Sequence, residues 1–331
     1  MTYPMLRRVR TTVDSRFGKK PEERTVEELL RNGIVVIDKP MGPTSHQLAA
    51  WVRDMLGVEK TGHGGTLDPR ATGVLPVGIG NSVRAMDYIH EAGKRYVGVM
   101  RLHGEVDDVL LQKTAQEFTG ELYQTPPVRS AVKRVLRIRN VYTLNILERS
   151  DRDVLIDVTC EGGTYIRSLC VDIGDAMGIG AHLQDLRRIE AGPFKESDAI
   201  SLHTLKDAIE FHRSGDPKEL KRILFPMERV FDEWKRIVAK DSAVDALCHG
   251  APLAVPGLVE VARGIVPNDR VAIYTSKGEV IAVGKSSMTA EDMLSSKDGV
   301  AAKLERVFME PGTYPRSWLS KSTNAPPRRE N

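Results

Sequence analysis

The sequence predicts an α+β body on a mixed, largely antiparallel sheet with flanking helices, followed by a small all-β barrel or sandwich. Three observations carry that prediction. Strand-like and helix-like patterns are interleaved without the regular alternation of a doubly wound parallel sheet. Near residue 235 the longer elements give way to short β runs punctuated by Gly and Pro. Hydrophobic residues make up 41% of the 331, enough for a core that needs no disulfide or metal staple.

Taken in order, residues 1–32 read as a charged extension with Pro21 and little periodicity, fit to wrap a surface or stay mobile. The body, 33–235, opens on a strand at 33–38 that Lys39-Pro40 stops. A helix follows, capped by Thr44 or Ser45, with Leu48, Trp51, Val52, Met55 and Leu56 on one face. Gly57 stands where a left-handed stop is wanted. Strand-like runs recur at 74–79, 96–102, 128–141 and 154–160. Helical patterns occupy 165–177 and 181–188, and another begins near Ser201. The β module, 236–312, has short runs at 253–255, 259–261, 271–274, 280–283 and 304–308. A polar tail at 313–331, Pro-rich near its end, reads as disordered.

Composition excludes several classes. No stretch approaches the ~20 apolar residues of a membrane span, and the basic amino end lacks the apolar block of a secretory signal. Cys160, Cys170 and Cys248 are odd in number and form no CxxC, which favours a reducing compartment. No His spacing suggests a metal. Lys and Arg total 48 against 45 Asp and Glu, a net charge of +3 that does not by itself argue for nucleic acid. Gly284-Lys285-Ser286 mimics a phosphate loop, but Glu279 stands where its first glycine belongs and a strand-like run intervenes. No GxGxxG occurs, so nucleotide cofactors have no support.

The densest feature is 62–75, GHGGTLDPRATGVL. Its glycines let backbone approach a ligand closely or pass through positive φ, and Pro69 stiffens the chain just after Asp68. Two readings of Asp68 follow from residue types: a placed catalytic carboxylate, or a turn residue bonded to local amides.

GGTLDPxATGxL, preceded by Asp38-Lys39-Pro40-x-Gly42, is similar to the signature of the TruB-type pseudouridine synthases. Lys94-Arg95-Tyr96, the GTYIRSL run at 163–169, and 180–183 leading to Leu186-Arg187-Arg188 follow in the family's order. Together they span about 33–195, and the module from about 237 to 310 resembles a PUA domain, a small RNA-binding β fold. The resemblance implies isomerisation of uridine to pseudouridine, with no net oxidation or hydrolysis and so no cofactor or metal. One ionised carboxylate suffices, as nucleophile on the sugar or as base at the neighbouring ribose carbon. The family implies that Asp68 is this group, Arg167 its ion-pair partner and Tyr96 the ring that stacks on the flipped base. It further implies Leu186 as an apolar wall, His63 as an RNA contact and Lys39 as a support near the loop.

Residues 129–139 place five cations in eleven residues without an acid. Lys133, Arg134, Arg137 and Arg139 are expected to contact RNA phosphate; on one strand Lys133, Val135, Arg137 and Arg139 would share a face. The alternative is a solvated strand face. The SAxK motif at 130–133 runs almost directly into the next strand, without the long insertion of the bacterial tRNA enzymes. The chain therefore resembles the archaeal and eukaryotic H/ACA branch, which has an amino-terminal extension and a PUA module. That branch implies an H/ACA guide RNA, an rRNA substrate, and small partner proteins including one that binds the guide's kink-turn. Stand-alone modification of the tRNA T-loop is the rival reading, and a structural RNA-binding scaffold the third. The short tail favours an archaeal, cytoplasmic protein, with 1–30 a candidate to pack on the PUA-like module.

Overall fold

The computed structural model describes residues 3–11, 13–126 and 133–316. Two compact units emerge, Met1–Thr25 with Pro226–Asn331, and Val26–Phe225. Strand β1 (Met5–Arg7) belongs to the first unit. The second begins with α1 (Val26–Asn32), β2 (Gly33–Lys39), α2 (Ser45–Leu56), β3 (Thr61–His63) and β4 (Thr72–Ile79). It continues through α3 (Met86–Glu91), β5 (Lys94–Leu102), α4 (Asp108–Glu117), β6 (Gly120–Gln124), β7 (Arg137–Ser150) and β8 (Asp153–Cys160). The remaining elements are α5 (Ile166–Ala176), β9 (Ala181–Ala191), β10 (Phe194–Lys195), α6 (Leu202–Arg213), α7 (Lys218–Ile223) and β11 (Leu224–Pro226).

These strands form a ten-stranded sheet in the order β11-β2-β4-β9-β5-β8-β7-β6, with β10 on β9 and β3 on β4. β2–β4, β3–β4, β5–β8, β5–β9, β6–β7, β7–β8 and β9–β10 pair antiparallel, whereas β4 and β9 run parallel, with Thr72 facing Arg187 and Gly73 facing Arg188. Gly73, at φ 101°, is required there: a Cβ would fall 2.2 Å from the Arg188 carbonyl oxygen. This parallel contact brings the carboxyl end of β9 beside the loop that enters β4. β2 is apolar along nearly its whole length and buried to match, so its hydrophobic side chains serve both faces of the sheet.

Helix α2 starts and stops where the sequence predicts. Thr44 accepts from the Gln47 amide, Gln47 returns a bond to the Thr44 amide, and Gly57 closes the helix at φ 64°. Such a cap contributes about 1 kcal/mol.

Three expectations need correction. Residues 181–188 are strand, not helix. Against β5 the register skips Gln184 and Ile189, and these bulges replace strict alternation with inward positions at mixed spacing. The strand expected at 128–141 begins only at Arg137, because β6, its partner, ends with Gln124 opposite Arg137. Residues 133–136 lie in no regular element, and 127–132 fall outside the described residues. The extension also contains unexpected order, in β1 and in α1.

The other unit holds β12 (Lys235–Ala239), α8 (Asp241–Cys248), β13 (Leu253–Ala254), β14 (Leu258–Ala262), β15 (Arg270–Tyr274), β16 (Val280–Ser286), α9 (Ala290–Ser295) and β17 (Val300–Val307). Their sheet order is β1-β14-β12-β15-β16-β17-β13. Gly284-Lys285-Ser286 lies on β16, a strand as its sequence context indicates. The amino-terminal segment is built into this unit: β1 pairs antiparallel with β14, and Tyr3, Leu6 and Phe17 pack on its core. Arg24 makes a double hydrogen bond to Glu228, and Glu279 accepts from the Lys19 amide and the Tyr314 hydroxyl.

Candidate active site

Asp68 sits on the loop between β3 and β4, and that loop is fastened at many points. The Ser45 hydroxyl, at the start of α2, accepts from the Leu67 amide at 2.9 Å and donates to the Leu67 carbonyl at 3.2 Å. Lys39 is fully buried, and its ammonium donates to the carbonyls of Pro40, Pro69 and Ala71. The Gly42 amide also donates to Pro69, and the Ala71 amide to the Asp68 carbonyl. Burial pulls the Lys39 ammonium below its ordinary range, a pull that the charge of Asp68 opposes and that of Arg188 reinforces.

Arg188 closes the loop at its two ends. Its side chain, 1% exposed, donates through Nε to Val74 at 2.8 Å and through Nη2 to Gly65 at 3.0 Å. Lys94 lies beside it, with Nζ on the carbonyls of Ile89 and Ala92 at 2.6 and 2.5 Å. Burial, with Arg188 nearby, pulls the Lys94 ammonium down to about 7. Arg187 grips both carboxylate oxygens of Asp38 and also Glu196, joining β9 to the end of β2.

Across from the loop, Arg167 is the second residue of α5 and donates through Nη2 to Asp68 Oδ2. The pair joins positions 99 residues apart. The Asp68 and Arg167 side chains keep 53% and 41% of their exposure, so the ion pair is open to a ligand. Tyr96 and Leu67 are buried in one apolar cluster, and Leu186 packs against it. In register, Tyr96 stands opposite Arg188 and Gly98 opposite Leu186. Burial raises the Tyr96 phenol, while the charge of Arg188 resists the rise.

His63 lies with His46 and His90, ring centroids 4.6 and 5.7 Å away. Burial, with these two neighbours, lowers the His63 imidazole to about 4. Among the described residues no group of three or more His, Cys, Asp or Glu is placed to hold a metal.

Asp68, Arg167, Tyr96, Leu186 and Lys39 thus converge on one place, with His63 on the strand leading into the loop. The basic segment does not behave as one row. Arg137 and Arg139 share a face of β7, whereas Lys133 and Arg134 precede the strand. Arg139 pairs with Glu161 at 3.3 Å, and Arg134 donates to the Pro126 carbonyl. Ser45, Arg187 and Arg188 are additional supports; the LRR motif was the available signal for the two arginines, and nothing local marks Ser45 beyond its capping position.

Comparison with known proteins follows this geometry. The description "TruB family pseudouridylate synthase (N terminal domain)" matches residues 53–166, and "tRNA pseudouridylate synthase B C-terminal domain" matches 167–232. A PUA domain matches 235–308 and a DKCLD (NUC011) domain 2–49. The "Probable tRNA pseudouridine synthase B" of Methanopyrus kandleri is 48% identical over 96% of this chain and 94% of its own length. Its namesake in Archaeoglobus fulgidus is 48% identical over 94% and 96%. Among solved structures, "Crystal Structure of a Cbf5-Nop10-Gar1 Complex" aligns at TM-score 0.89 and 44% identity, covering 95% of this chain and 97% of the other. "Structure of H/ACA RNP bound to a substrate RNA containing 2'-deoxyuridine" aligns at 0.89 and 42%, covering 96% and 98%.

Proposed function

Because the chain belongs to the TruB family of pseudouridylate synthases, we propose that it is the catalytic subunit of a guide-directed ribonucleoprotein isomerising uridine to pseudouridine in rRNA. Asp68 is the reacting carboxylate. The observation that carries this role is its ion pair with Arg167, formed at an open surface on a loop braced from beneath by Lys39 and Arg188. Arg167 orients the carboxylate that either chemical route uses. Either the carboxylate attacks the sugar carbon and expels the base, or it removes a proton from the neighbouring ribose carbon and the base is eliminated. C5 of the turned base then bonds to the sugar carbon as the carboxylate is released or the ribose proton returned. The proton lost from C5 is balanced by one taken up at N1. Tyr96 stacks on the flipped base and Leu186 walls its pocket, while His63 touches RNA beside it. Lys133, Arg134, Arg137 and Arg139 contact RNA phosphate.

Guide dependence rests on likeness along nearly the whole chain to the structure of an H/ACA RNP bound to a substrate RNA. The partners are accordingly an H/ACA guide RNA, small proteins of the Nop10 and Gar1 kind, and a kink-turn-binding protein. Archaeal cytoplasm is the assigned compartment. The names of the relatives favour a second reading, tRNA modification without a guide. Reconstitution separates the two: pseudouridine formation in an rRNA target is expected only with the guide and partner proteins present. Full-rate, site-correct modification by the protein alone would remove the guided reading.

A further inference from the structure

Arg167 meets Asp68 only if the first turn of α5 is correctly aimed, and that turn starts from Tyr165. Tyr165 supplies no side-chain cap to the helix. Its backbone is instead held by a residue 41 positions earlier: the Tyr165 amide donates to Gln124 Oε1 at 2.9 Å, and Gln124 Nε2 donates to the Tyr165 carbonyl at 3.2 Å. Gln124 is 3% exposed and is the last residue of β6. The two bonds copy a strand pairing, one donor and one acceptor on each side. They define the orientation of the carboxamide, since the reverse would set donor against donor.

We propose that Gln124 is a positioning residue for the isomerisation, holding the entry of α5 so that Arg167 is directed at Asp68. The inference rests on the reading of Asp68 and Arg167 as the working pair and adds what aims it. A carboxamide suits this place chemically. A carboxylate would oppose the Tyr165 carbonyl, and an ammonium would oppose its amide. A neutral group also leaves Arg167 free of a second anion, which would compete with Asp68. The nearby charges are accounted for: Arg139 and Glu161 pair with each other beside the turn, and Arg137 stands opposite Gln124 on β7.

The test uses the reconstituted ribonucleoprotein and three variants, with thermal unfolding followed for each. Gln124→Met keeps the length of the side chain and removes both bonds. Its kcat is expected to fall on the order of a hundredfold, as for a misplacement of about 1 Å, with KM for RNA nearly unchanged. Gln124→Glu is expected to lose as much at neutral pH. As pH falls, the introduced carboxyl takes up a proton and regains one donor and one acceptor. Its activity relative to the native enzyme should then climb, a recovery that loss of packing does not produce. Asp68→Asn is the control and is expected to be inactive.

Native kcat in Gln124→Met beside an inactive Asp68→Asn overturns the positioning role alone. A Gln124→Glu ratio flat with pH also overturns it, leaving Gln124 as packing. Turnover by Asp68→Asn overturns the reading on which the inference rests.

Discussion

The two sides of the site are supported by opposite means. Beneath Asp68, the buried cations Lys39 and Arg188 donate to carbonyls of the loop. Behind Arg167, a neutral carboxamide holds backbone, and Arg139 beside the turn is paired with Glu161. The difference has an electrostatic reason. A cation under the carboxylate steadies its charge while it braces the loop, whereas an anion under the guanidinium would draw Arg167 away from its partner. Each half of the ion pair therefore has scaffolding that does not compete with the other half.

The sharpest way to break this comparison is at the pair itself. Asp68→Asn should abolish product while RNA binding, followed by gel shift, stays nearly native. Arg167→Lys should lose on the order of a hundredfold in kcat, since lysine cannot reproduce the planar fork. Measurable turnover by the first variant would dissolve the asymmetry, because there would be no charge to steady.

The next effect is on the supports. Lys39→Met strands the carbonyls of Pro40 and Ala71, while Pro69 keeps the Gly42 amide, and is expected to cost about 2–3 kcal/mol of stability, together with a fall in kcat. Denaturant unfolding and single-turnover kinetics check it. An active variant of native stability would mean that the loop stands without its cation.

The smallest effect is on pH. His63 titrates at about 4 in the folded protein against 6.5 as its ordinary value. The unfolded chain therefore binds the extra proton between those values, and stability declines as pH falls from 6.5 to 4. Discounted for partial exposure, the contribution is about 2 kcal/mol. His63→Gln should flatten that part of the profile, measured by urea unfolding across the window.

The sequence exposes these two sides unequally. Asp68 and Arg167 stand in dense motifs, and the ends of α2 can be read from Thr44 and Gly57 because caps are local chemistry. Gln124 could not be found that way, because its partner is a backbone 41 residues distant and any uncharged polar side chain fits a strand end. Arg188 was visible as part of a motif, yet its work depends on which carbonyls lie across the parallel contact. β9 was misread because its two bulges disturb the period on which pattern reading relies. Composition and net charge gave no hint that Lys39, Lys94 and Arg188 would be interior.

The pairing of β1 with β14 has a consequence for biosynthesis. Met5 and Ala262 are register partners, so β1 has no mate until some 250 further residues have been made. At roughly 5–20 residues per second, that interval is on the order of ten to fifty seconds. Throughout it, Leu6 and Phe17 lack the core they pack on, and the unit that holds β14 is finished only when β1 returns to it.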